Sequence, residues 1–184
     1  INACKRDSQF FDLTPLLKSK QNFVVSSTIS YLSTRNAISS SMCESLLKQE
    51  SYYIKLACIR HLGSHYNAGV EKTLLKEFST LENEKLKETI IDFFALSGSV
   101  EINNILKKYY LNNTESSYNS YANYLFSKGF ATYKNNVDFF KTYIKNNKLN
   151  QAQIDSLKKE LYALSAKYLD PSEQAKTSEI IENL

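Results

Sequence analysis

An apolar pair followed by lysine recurs along the chain. The copies are Leu16-Leu17-Lys18, Leu46-Leu47-Lys48, Leu74-Leu75-Lys76, Ile105-Leu106-Lys107 and Phe139-Phe140-Lys141. The steps between them are 30, 28, 31 and 34 residues. Ile180-Ile181 is a further copy that lacks the lysine. Around these pairs the apolar positions follow the period of an α-helix. Val70, Leu74, Leu75 and Phe78 share one face, as do Ile102, Ile105, Leu106 and Tyr109. A second periodic set lies between them: Val24, Thr28, Tyr31 and Leu32; Ile54, Cys58, His61 and Leu62; Leu86, Ile90, Phe93 and Phe94; Tyr118, Ala122, Leu125 and Phe126. Their first residues are 30, 32 and 32 apart, and Leu157, Leu161 and Leu164 form a shifted fifth copy.

The punctuation between segments suits helices. Gly63, Gly98 and Gly129 close successive segments, where a left-handed C-cap is expected to favour glycine. Polar clusters at Asn112-Asn113-Thr114, Asn135-Asn136 and Asn146-Asn147 lead into the following segments. Asp170-Pro171 opens the last one, with proline tolerated in a first helical turn. Residues 146–156 read as a long connection that tilts the last unit, and Leu13–Leu17 as a lone first helix. A helix with a single apolar stripe cannot bury it alone, and stacked pairs bury a continuous core. The expectation is an all-α protein, with an ordinary up-down bundle as the alternative to stacked repeats.

These residues resemble the HEAT family of helical repeats. The closest unit is Ile54-Lys55 with Cys58, His61-Leu62-Gly63, Val70 and Leu74-Leu75. Lys55 or Lys87 stands where that family prefers arginine, and Ala122 alone supplies its crowded-position alanine. The Trp/Gly/Tyr/Pro signature of tetratricopeptide repeats is missing. The resemblance covers residues 13–184 and implies a right-handed α-solenoid of about five HEAT-like helix pairs.

Composition narrows the class. At about 150 residues per domain, 184 residues make one domain, placed at 13–184 behind a tether at 1–12. With 42% hydrophobic and 23% charged residues, the chain has a globular rather than a disordered balance. No apolar run approaches the ~20 residues of a membrane span. Only 4 Gly and 2 Pro exclude collagen-like and turn-dense all-β chains, while 13 Tyr and 10 Phe supply bulk for a core.

A net charge of +4 is mild for a nucleic-acid binder, so its placement matters more than its size. Lys18, Lys48, Lys76, Lys107 and Lys141 hold equivalent positions in the repeat. In a HEAT-like stack those helices line the concave surface, which implies a row of ammonium groups about 10 Å apart. Such a row attracts an acidic protein surface or a phosphate backbone. Tyr110, Tyr143, Lys72, Lys108 and Lys145 extend it, and Glu44, Glu71, Glu77, Glu101 and Asp138 dilute it. A merely solvated helix face is the plainer alternative. Tyr118, Tyr121 and Tyr124 recur every third residue, as binding tyrosines or as packing between repeats.

Enzymatic signatures are missing. There is no Gly-x-Ser-x-Gly elbow and no glycine-rich phosphate loop. Cys58, His61 and His65 are zinc-type residues, but a structural site wants four ligands. Cys43 and Cys58 sit in apolar helical patterns and read as core thiols. Neither metal nor cofactor is expected. Some HEAT-like proteins are DNA glycosylases, but this chain lacks the Trp-rich cleft of those enzymes. Ala3-Cys4 followed by polar residues resembles a bacterial lipoprotein processing site, in which Cys4 carries lipid and places the chain at the cell envelope. Without that lipid the expectation is cytoplasmic.

The sequence therefore reads as a monomeric, non-enzymatic module that captures one protein on its concave face. The narrowest form is a bacterial immunity protein neutralising a toxin with an acidic surface, or an envelope scaffold. The alternative is a nucleic-acid-binding protein that sets the lysines on phosphates.

Overall fold

A computed structural model describes residues 12–113 and 118–184, and every regular element among them is helical. After a short 3₁₀ helix, Thr14–Lys18, come α1 (Asn22–Thr34), α2 (Ser40–Leu46), α3 (Tyr52–Ser64), α4 (Ala68–Thr80) and α5 (Glu84–Ser97). A 3₁₀ turn, Val100–Ile102, leads into α6 (Asn103–Asn112). Then follow α7 (Tyr118–Ser127), α8 (Phe130–Lys134), α9 (Val137–Asn146), α10 (Gln151–Tyr168) and α11 (Pro171–Glu182). No helix among the described residues is long and apolar enough to cross a membrane. Where the length suggests one domain, the contacts group the chain into two compact units, Ile1–Phe93 and Phe94–Leu184.

In the first unit α3 packs on α1, α2 and α4. Its core is mostly aliphatic: Val25, Ile29, Leu32, Ile54, Ile59, Leu62, Leu74 and Ile90 are all buried. Polar bonds join equivalent points of successive helices. Ser33 Oγ meets His61 Nδ1 at 2.9 Å, 28 residues on. Asn36 Oδ1 meets His65 Nε2 at 3.0 Å, 29 residues on. Both partners advance together, so α1 and α3 run parallel. Thr73 donates to Glu44 Oε1 at 3.1 Å, linking α4 to α2 across 29 residues.

The second unit repeats the device. Asn103 donates to Asn136 Oδ1 at 3.0 Å, 33 residues apart, and Lys107 reaches Asp138, 31 residues apart. Tyr118 donates to Glu160 and Tyr168 to Asn123, so α7 and α10 also run parallel. Its core is largely aromatic. Tyr121, Tyr124, Phe126, Tyr133, Phe139 and Phe140 are all essentially inaccessible. Tyr121 meets Phe139 edge-on at 4.5 Å, and Phe126 stacks on Tyr133 at 4.3 Å.

Helix starts follow side-chain chemistry. Asn67 Oδ1 accepts from the amides of Gly69 and Val70, starting α4. Asn150 and Gln153 form a reciprocal capping box on α10. Asp170 caps α11 ahead of Pro171, and its carboxyl is held below its ordinary pKa by the Glu173 amide and then by Ser172.

Several expectations are corrected. Of Gly63, Gly98 and Gly129, only Gly129 has a positive φ, 92°. Gly63 lies within α3, which runs on to Ser64, and a Cβ there would collide with the ring of Phe93. A Cβ at Gly98 would strike Ile102 and come within 2.6 Å of the Phe94 carbonyl oxygen. Both glycines serve close packing rather than chain reversal. The long connection expected at 146–156 is short, because α10 starts at Gln151. The extra length falls earlier and is folded as α8. The expected first helix is one 3₁₀ stretch.

Candidate functional site

Polar positions repeat at helical spacing on α2 and α4. Ser41, Glu44 and Ser45 follow i, i+3 and i+4, which places them along one face, and Lys48 joins them from the turn just after α2. Thr73, Lys76 and Glu77 do the same on α4. The opposite sides are anchored: Cys43, Leu47, Val70 and Leu74 are buried at 2% exposure or less. The two polar faces line a cleft of about 360 Å³. Lys48 and Lys76, two members of the lysine series, therefore meet in one place. So do Glu44 and Glu77, and charges of both signs are balanced there. The Thr73 hydroxyl holds Glu44 Oε1. Neither lysine is within ion-pair distance of a carboxylate among the described residues.

The second unit treats its lysines differently. Lys107 on α6 is ion-paired with Asp138 on α9, with 2.7 Å to Oδ2 and 2.9 Å to Oδ1. A pair this close to solvent contributes about 0–1 kcal/mol. Lys141 and Lys145 stand one turn apart on α9, both exposed, and Lys108 is exposed on α6. None of these three has an ion-pair partner among the described residues. Lys145 lies in the last turn of α9, where the helix dipole favours a cation. Lys18 is exposed at the end of the first 3₁₀ helix.

The aromatic members of the expected site are displaced inward. Tyr110 is 4% exposed and stacks on Tyr121 at 5.9 Å, so it is core rather than contact surface. Its period places it across the helix from Lys108, and its ring is worth more buried than wet. Tyr143 is half-buried between Tyr118 at 5.2 Å and Phe139 at 6.0 Å. Tyr121 and Tyr124 are fully enclosed, which ends their reading as surface tyrosines. Burial pushes the Tyr121 phenol up in pKa, with the Tyr124 side chain adding to it. Glu71, expected to dilute the lysines, is instead buried and accepts from the Tyr66 hydroxyl at 2.6 Å.

The Cys58, His61 and His65 constellation resolves into packing. No group of three or more metal-ligating side chains occurs among the described residues. His61 is buried against Ser33, and burial followed by the neighbouring His65 lowers its pKa. Cys43 and Cys58 are both inaccessible free thiols. The Cys58 thiol is pushed up in pKa by its hydrogen bond with Cys43 and by burial, the opposite of an activated nucleophile. Cys4 lies outside the described residues.

Glu44, Thr73 and Glu77 are therefore the residues that a lysine-centred reading left out as partners in a site. Their spacing on the faces of Lys48 and Lys76 was visible, but the meeting of those faces was not. No family model, curated protein or solved structure matches the chain.

Proposed function

We propose that the chain is a non-enzymatic module of stacked HEAT-like helix pairs that captures a protein partner with an acidic surface. That reading is supported within each unit by cross-helix bonds at separations of 28 to 33 residues. The observation that carries the binding reading is the α6–α9 face. Lys108 on α6 and Lys141 and Lys145 on α9 are exposed without ion-pair partners among the described residues, while Asp138 is already engaged by Lys107. Such a surplus steers acidic groups toward the face and aligns them on arrival. The narrower readings of toxin neutralisation and of envelope attachment through Cys4 extend this proposal by resemblance.

The test is binding of the full chain to poly-L-glutamate and to a short DNA duplex across a salt series. Acidic-protein capture predicts tighter binding to poly-L-glutamate. Changing Lys108, Lys141 and Lys145 together to Glu is expected to weaken it by at least about tenfold, roughly 1.4 kcal/mol. Tighter binding to the duplex, with affinity falling steeply as salt rises, would replace this reading with phosphate recognition. Unchanged binding in the triple variant would remove the α6–α9 face from either reading.

A further inference from the structure

We infer that the α2–α4 cleft of the first unit binds a small zwitterion, a molecule carrying one ammonium and one carboxylate. This site is separate from the α6–α9 face and goes beyond the acidic-partner reading. Its walls carry two cations, Lys48 and Lys76, and two carboxylates, Glu44 and Glu77. These charges share a cleft without pairing with one another among the described residues. Elsewhere the same residue types do pair, as Lys107 does with Asp138 and Lys87 with Glu84.

The charge balance selects the ligand class. A dianion drawn to the lysines meets two carboxylates, and a dication drawn to the carboxylates meets two ammonium groups. Attraction and repulsion then largely cancel. A ligand carrying both signs aligns with the wall and gains at each end. The Ser45 hydroxyl lies beside the charges, and the Thr73 hydroxyl, whose proton goes to Glu44, keeps acceptor capacity there. About 360 Å³ lies at the small end of ligand sites, which admits an amino acid and excludes a folded partner or a helix. Burial of Cys43, Leu47, Val70 and Leu74 fixes both walls in advance, which lowers the ordering cost of binding.

The experiment titrates the isotope-labelled full chain with straight-chain ω-amino acids, beginning with glycine, and follows backbone amide resonances. Glutarate and cadaverine serve as single-sign controls. The expected result is saturable shifts at Ser41–Lys48 and Thr73–Glu77 for at least one chain length. The controls at equal concentration leave those amides unmoved. Lys76→Gln and Glu77→Gln each weaken the binding about tenfold or more, with the rest of the spectrum retained as proof of folding. The proposal is overturned if no ω-amino acid moves those amides. Equal shifts from either control, or undiminished affinity in both variants, overturn it as well.

Discussion

The two units fill one kind of helical scaffold with different materials. The first is packed with Val, Ile and Leu, and its polar ties, Ser33–His61 and Asn36–His65, sit at the ends of α1 and α3. The second is packed with Phe and Tyr, and the tyrosine hydroxyls come inside with their rings. Tyr121 Oη donates to Asn103 Oδ1 at 2.8 Å and Tyr124 Oη to the Ser99 carbonyl at 2.6 Å. Asn136, 7% exposed, accepts from Asn103 and donates to the Thr132 carbonyl. The buried hydroxyls of Tyr133, Ser165 and Thr177 have no hydrogen-bond partner among the described residues. Aliphatic cores need only shape, whereas aromatic cores built from tyrosine also need a hydrogen-bond plan.

Removal of a large ring tests this contrast most severely. Phe139→Ala should cost about 3–5 kcal/mol in denaturant unfolding, against about 0.5–1.5 for Ile59→Val in the first unit. Equal losses would break the claim that the aromatic cluster dominates the second core. Asn136→Leu should cost about 1–3 kcal/mol, because it leaves the Asn103 amide without its acceptor. A neutral result would show that the polar plan is dispensable. The smallest effect belongs to the first unit. His61 has its pKa lowered, so folding favours the neutral ring. Its contribution is complete above its ordinary value near 6.5 and is lost as pH falls through the lowered value. Urea midpoints should therefore decline on acidification below that point, and His61→Asn should flatten the decline. An unchanged slope in that variant would assign the effect elsewhere.

The helical segments were legible because their apolar spacing is a one-dimensional property. Ile54, Cys58, His61 and Leu62 are buried together, as their period predicts. What was misread depends on a second helix. The role of Gly63 is set by Phe93, 30 residues away, and no local signal distinguishes close approach from a turn. Tyr110 and Tyr121 were ambiguous because tyrosine suits both core and surface. The five-residue α8 was too short to show a period. Lys48 and Lys76 were visible as lysines in a series. Their sharing of a cleft with Glu44 and Glu77 depends on how α2 lies against α4.

The regular spacing of the cross-helix bonds has a kinetic consequence. Ser33–His61, Glu44–Thr73 and Lys107–Asp138 each join residues only 28 to 31 positions apart. None of these bonds waits for distant ends of the chain to find each other. Closure entropy rises only slowly with loop length, and chains dominated by short-range contacts fold quickly. Each helix joined by such a bond can therefore dock soon after its partner helix has formed.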